Sequence, residues 1–82
     1  MENQEILQRV IQLFSTMTDA KQILPESDLI EDLEVSSMDV LYLVSCLEED
    51  FRVKIPEKAI RKMYAVEDVA QTVAQLLRER GK

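Results

Sequence analysis

Histidine and tryptophan are absent from this 82-residue chain, cysteine and glycine occur once each, and proline twice. Without histidine there is no Ser-His or Cys-His pair for nucleophilic catalysis and no imidazole to ligate a metal. A single cysteine, Cys46, cannot close an internal disulfide, so nothing ties the chain to an oxidising compartment. Placed between Val44 and Leu47 on the core side of its helix, Cys46 is expected to be a small buried side chain. The longest uninterrupted apolar run, Val40 to Val44, is far too short to cross a bilayer. The opening residues Met1 to Glu5 lack the basic-then-apolar pattern of a signal peptide, and a cytoplasmic location is expected. The start at Met1 and the short tail past Arg80 suggest a stand-alone chain.

What is present points to one small helical domain spanning 1–82. Apolar residues make up 46% of the chain, enough for a core, and Leu, Glu, Gln, Lys and Ala with few breakers favour helix. Sixteen acidic residues outweigh ten basic ones, giving a net charge of −6. That balance argues against nucleic acid or an anionic membrane and favours a protein partner with a basic docking patch. The charge is also segregated. Nine acidic and no basic residues lie from Gln22 to Phe51, whereas Arg52, Lys54, Lys58, Arg61 and Lys62 face only Glu57 in the next stretch. A solvated exterior and an electrostatically steered partner explain this about equally well.

Helical spacing of Ile6, Val10, Leu13, Phe14 and Met17 predicts a first helix over 3–17. A long loop follows to Ser36, interrupted by Pro25. Ile23, Leu24, Leu29, Ile30 and Leu33 are expected to pin it, with one helical turn near 28–33. The second helix runs from Ser37 to Phe51 on a stripe of Val40, Leu43, Val44, Leu47 and Phe51. A short third helix is expected over 56–63 with Pro56 at its first position. The last, over 66–80, buries Val66, Val69, Ala70, Val73, Leu76 and Leu77. Arg78 and Arg80 face its negative end, and Gly81 stops it. Ala65 is a poor N-cap, so fraying is expected there.

Chemistry concentrates at Ser36-Ser37. Two serines at a helix start are most often caps, and Ser36 with Asp39 three residues on is suited to that task. If Ser36 caps, Ser37 takes the first helical position with its hydroxyl outward, where a phosphodiester is stabilised by free N–H groups and the helix dipole. Met38, Leu41, Tyr42 and Ser45 then lie outside the core stripe, followed by Glu48 and Glu49, which together make a docking face. The acidic loop lacks the central glycine and spacing of a calcium-binding loop, so calcium sensing is a poor reading.

The run Glu31-Asp32-Leu33-Glu34-Val35-Ser36-Ser37-Met38-Asp39 through Leu47-Glu48-Glu49-Asp50-Phe51 resembles the acyl carrier protein signature, E-D-L-G-x-D-S-L-D-x-V-E-L-V-x-x-L-E-E-x-F. Leu33, Ser37, Asp39, Leu43, Leu47, Glu48, Glu49 and Phe51 match in one ungapped register. The likeness continues through Ile55-Pro56-Glu57 and Val66-Glu67-Asp68-Val69. The resemblance implies an all-α four-helix bundle, with three longer helices, one short helix and a long ordered loop between the first two. It implies a carrier without catalytic residues of its own. Ser37 takes 4′-phosphopantetheine from coenzyme A through a phosphopantetheinyl transferase, and the thiol of that group holds acyl or aminoacyl thioesters. Partners are acyl-transferring or acyl-modifying enzymes with basic docking patches, met by Met38, Asp39, Leu41, Tyr42, Glu48, Glu49 and Ile55. No nucleic acid, metal or membrane insertion is implied, and the carrier is expected to act as a monomer in fatty-acid, polyketide or related specialised biosynthesis.

Four positions depart from the pattern: Glu34 stands at its Gly, Ser36 at its Asp, Met38 at its Leu and Tyr42 at its second-helix Glu. The third helix, usually acidic in fatty-acid carriers, is basic through Lys58, Arg61 and Lys62. These departures suggest a specialised carrier in a dedicated pathway. The alternative is a carrier-like helical interaction module that is never modified, binding a partner helix through Met38, Leu41 and Tyr42.

Overall fold

The computed structural model describes residues 3–19 and 22–80. Four helices follow one another: α1 (Asn3–Met17), α2 (Ser37–Phe51), α3 (Glu57–Ile60) and α4 (Val66–Arg80), and among the described residues there is no strand, only an isolated bridge between Asp28 and Ala65. The fold is thus the all-α bundle of three longer helices and one short one. α1 packs most extensively on α4, and α2 lies against both. No helix among the described residues is long and apolar enough to cross a membrane.

The three long helices follow the apolar periodicity. Ile6, Val10 and Phe14 of α1, Leu43, Val44, Leu47 and Phe51 of α2, and Val66, Val69, Ala70 and Val73 of α4 meet in one core. Leu13, Met17, Val40, Leu76 and Leu77 pack at its margin, half-buried, and Ala74 is buried in the place expected of the leucines. Ala70 and Ala74 are buried, whereas the longer Leu76 and Leu77 stay half-buried at the edge of the core. Cys46 is half-buried beside α1 rather than sealed in the core.

The long loop is ordered by its own polar groups. Asp28 Oδ1 accepts the N–H groups of Ile30 and Glu31 at 2.9 Å each, and Asp32 Oδ2 accepts that of Asp28 at 2.7 Å. With Asp32 N–H and Leu33 N–H donating to the Asp28 carbonyl, the expected single turn over 28–33 is formed without becoming a helix. Leu29, Leu33 and Val35 anchor it in the core, whereas Leu24 and Ile30, expected to help, face outward.

Two helix ends differ from expectation. α3 is only four residues long, and Pro56 is its N-cap, its carbonyl accepting from Ala59 and Ile60. The chain then tightens through Lys62-to-Ala59 and Met63-to-Ile60 bonds, which turns Met63 into the core. The start of α4 is held rather than frayed. Asp68 Oδ2 accepts the N–H groups of Tyr64 and Ala65, and the N–H groups of Val66 and Glu67 donate to the loop carbonyls of Ser27 and Pro25. An aspartate at the third helical position and a neighbouring loop thus replace the missing cap side chain. At the other end, Arg78 and Arg80 lie in the last turn of α4 as expected, and Arg80 also reaches α2, donating to the carbonyls of Phe51 and Arg52. Gly81 lies outside the described residues.

Replacing Asp68 with Ala is expected to lower stability by about 1 kcal/mol. Amide exchange at Tyr64 and Ala65 should quicken more than in α1; equal protection in both would remove Asp68 from the capping role.

Candidate functional site

The N-terminus of α2 is built by a reciprocal pair. Asp39 N–H donates to Ser36 Oγ at 3.2 Å and Ser36 N–H donates to Asp39 Oδ2 at 3.1 Å, a complete capping box, while Val40 N–H donates to the Ser36 carbonyl. Ser36 is extended, with φ −85° and ψ 171°, as a cap requires. The box consumes the Ser36 hydroxyl. Ser37, at the first helical position, is exposed, and among the described residues its hydroxyl has no hydrogen-bond partner. The N–H groups of Ser37 and Met38 are likewise left open, next to the positive end of the helix dipole.

The approach to this point depends on Glu34, which adopts a left-handed conformation with φ 54°. Thr18 Oγ1 donates to the Leu33 carbonyl at 3.0 Å, and Val35 N–H donates back to the Leu29 carbonyl at 2.8 Å. The chain must reverse sharply between those two bonds, and Glu34 makes the reversal. A β-carbon is disfavoured there by roughly 1–2 kcal/mol, and glycine escapes that cost. The glycine of the resembled signature was the one sequence signal for this geometry. A shallow cleft of about 310 Å³ lies alongside, with Asp19, Asp32, Glu34 and Asp39 among its lining residues.

On α2 itself, Met38 (75% exposed), Leu41 (60%) and Tyr42 (62%) form a bare strip one to five residues beyond Ser37. Glu49 is exposed beyond it. Three residues expected on the docking face have other engagements. Asp39 is tied into the capping box. Glu48 is half-buried, its Oε2 accepting from Ile55 N–H at 2.8 Å. Ile55, only 6% exposed, faces the core because the α2–α3 link folds back over it. The Glu48–Ile55 bond could not be foreseen from spacing, since it joins a side chain to a backbone seven residues away. Cys46, one helical turn after Tyr42, raises the Tyr42 pKa above the ordinary 10.0 through side-chain hydrogen bonding and the charge of its thiolate.

Among the described residues there is no acid–base pair and no enclosed cavity around Ser37. The geometry offers an accessible hydroxyl beside open N–H groups, which suits a covalently attached phosphodiester and leaves any chain beyond it in solvent.

Comparison with known proteins agrees in length and in kind. A protein-family model described as a phosphopantetheine attachment site matches residues 4–79. The chain is 35% identical over 71 residues to an acyl carrier protein of Thermosynechococcus vestitus, covering 84% of this chain and 88% of that one. It is 32% identical over 77 residues to an acyl carrier protein of Rubrobacter xylanophilus, covering 92% and 95%. The crystal structure of an acyl carrier protein from Thermotoga maritima superposes with a TM-score of 0.82 at 27% identity, over 98% of this chain and 95% of that chain.

Glu34→Gly is expected to raise stability by up to about 1 kcal/mol, because relief of the left-handed strain exceeds the added chain entropy. Urea unfolding with an unchanged m-value measures it, and a destabilised variant would contradict the strained backbone. Cys46→Ala should lower the Tyr42 ionisation midpoint toward 10.0. Tyrosinate absorbance against pH reads this, with Tyr42→Phe identifying the transition.

Proposed function

Because the chain belongs to the acyl carrier proteins of the phosphopantetheine-attachment family, whose domains bear covalent 4′-phosphopantetheine, we propose that Ser37 is the residue that carries that group. The observation that supports this most is the division of the two adjacent hydroxyls: Ser36 is consumed by Asp39, and Ser37 is exposed and open. When bound, the group supplies a terminal thiol that holds acyl cargo as a thioester. Members of this family are carriers rather than catalysts, and they work with acyl-handling enzymes after modification by a phosphopantetheinyl transferase. The role of this chain's own residues is therefore to present the serine and to be recognised. Ser37 would provide the oxygen that forms the phosphodiester as the pyrophosphate bond of coenzyme A breaks and adenosine 3′,5′-bisphosphate leaves, its proton passing to a base of the transferase, and the N–H groups of Ser37 and Met38 would receive the phosphate charge.

In this reading all of residues 1–82 act as one carrier domain, and partners dock on α2. Met38, Leu41 and Tyr42 fill an apolar depression, and Glu49 with the acidic residues lining the adjacent cleft meets basic side chains. Tyr42 at the position where the resembled signature has glutamate, together with the cationic stretch around α3, favours dedicated acyl-handling enzymes over general fatty-acid ones.

Incubation with coenzyme A and a phosphopantetheinyl transferase should add one phosphopantetheinyl group to the intact mass. Ser37→Ala should abolish the addition, while Ser36→Ala should keep it and lose roughly 1 kcal/mol of stability. Modification of the Ser37→Ala chain, or of none by several transferases, would overturn the assignment. Glu49→Lys should slow association with the transferase, most visibly at low salt. Unchanged rates would remove Glu49 from the docking face.

A further inference from the structure

Sulfur is distributed unevenly over this fold. Met63, 8% exposed, is packed into the core, and Met17, the last residue of α1, is half-buried. Cys46 is half-buried as well. Met38 is different: it is 75% exposed, in the first turn of α2, directly after Ser37. Among the described residues it is the one sulfur-bearing side chain that stands in solvent. Leu41 and Tyr42, three and four residues on, are its neighbours on the helix surface and are also bare. The thioether is therefore part of the apolar strip beside the serine.

A thioether is the one oxidisable group in an otherwise inert apolar side chain. A hydroperoxide gives up its distal oxygen to it. A sulfur lone pair forms the S–O bond as the O–O bond breaks, sulfur loses two electrons, and hydrogen peroxide leaves as water. The sulfoxide that results is polar and accepts hydrogen bonds strongly. In solvent the new oxygen costs the fold little, because Met38 contributes nothing to the core. Pressed into an apolar depression on another protein, the same oxygen loses its water and finds no donor. A methionine sulfoxide reductase reverses the change, removing the oxygen as water while a dithiol is oxidised to a disulfide. Leucine, which the resembled signature has at this position, would cover a similar area without this chemistry.

We propose that Met38 is a peroxide-sensitive modification site, and that its sulfoxide takes the apolar strip of α2 out of use until a reductase restores the thioether. The effect on partner enzymes rests on the carrier reading; the site of oxidation does not.

Trypsin places each of the four methionines in a different peptide, because Arg9, Lys21, Arg52 and Lys62 fall between them. The full chain carrying Cys46→Ala, so that added oxygen reports methionine alone, is treated with hydrogen peroxide and its peptides are weighed. Peptide 22–52 should gain oxygen at least about ten times faster than peptide 63–78, since Met63 reacts only when the core opens, with peptide 10–21 between them. Equal rates at Met38 and Met63, or slower oxidation at Met38 than at Met17, overturn the site. The chain oxidised at Met38 should keep its urea midpoint and be modified by a phosphopantetheinyl transferase with kcat/KM lowered about three- to tenfold. Reductase with dithiothreitol should restore the rate, and Met38→Gln should show a similar loss without peroxide. Met38→Leu, whatever its own starting rate, should lose its dependence on peroxide. An oxidised chain modified as fast as the reduced one overturns the proposal, as does a loss that persists in Met38→Leu. If neither form accepts the group, the carrier reading alone fails. The peptide map then still decides the oxidation, and retention of the folded chain on a phenyl column decides the strip: it should shorten on oxidation, and unchanged retention overturns the proposal.

Discussion

One hydrogen bond, from Asp39 N–H to Ser36 Oγ, decides what the neighbouring hydroxyl is free to do. A helix needs its first N–H groups satisfied, and a short polar side chain just outside it is the economical solution. With Ser36 in that position, Ser37 falls at the first helical residue, where its side chain stands clear of the backbone and of the core. Had the helix begun one residue later, Ser37 would be the cap and its hydroxyl would be occupied. The chemical distinction between two identical adjacent side chains is therefore a matter of helix register, and the register is held by an aspartate and by the buried row of Leu43, Val44, Leu47 and Phe51 below it.

That register needs support from both sides. The preceding loop delivers the cap through Glu34 in its left-handed conformation, with Val35 tied to Leu29 and Leu33 tied to Thr18. Leu29 is in turn bonded to Tyr64, and Ser27 to Val66, so the start of α4 and the start of α2 are joined through one loop. Packing of α4 on α1 fixes the frame to which this loop is attached. The site is polar and open, but what positions it is mostly apolar burial plus a handful of backbone bonds.

Much of this could be read from the amino-acid order. The three long helices carry strong apolar periodicity, and their bounds follow from it; the capping pair at Ser36 and Asp39 is visible as two residue types at a fixed spacing. What could not be read are bonds between residues distant in sequence. Asp68 closing the start of α4, Glu48 holding Ile55, and Arg80 reaching Phe51 all depend on how elements meet. Ile55 shows the same limit: in a short extended link the side-chain direction is set by the fold around it, and it points inward. Glu34 is the intermediate case, since its unusual backbone is hidden in this sequence and visible only against the glycine of the resembled pattern.

The far end of α2 holds a lesson of a different kind. Glu48, Glu49 and Asp50 crowd the last turn, where the helix dipole is already negative, and no basic residue of α2 stands among them. Relief comes from elsewhere: Arg9 of α1 pairs with Asp50 and lies 5.8 Å from the Phe51 ring, and Arg80 of α4 takes the terminal carbonyls. The helix that displays the serine is thus intrinsically ill-suited to existing alone, and a peptide excised to include it would keep the hydroxyl while losing the shape. Whatever recognises this surface is reading the whole bundle at once, and a destabilising change in α1 or α4 reaches the reader through a helix it never touches.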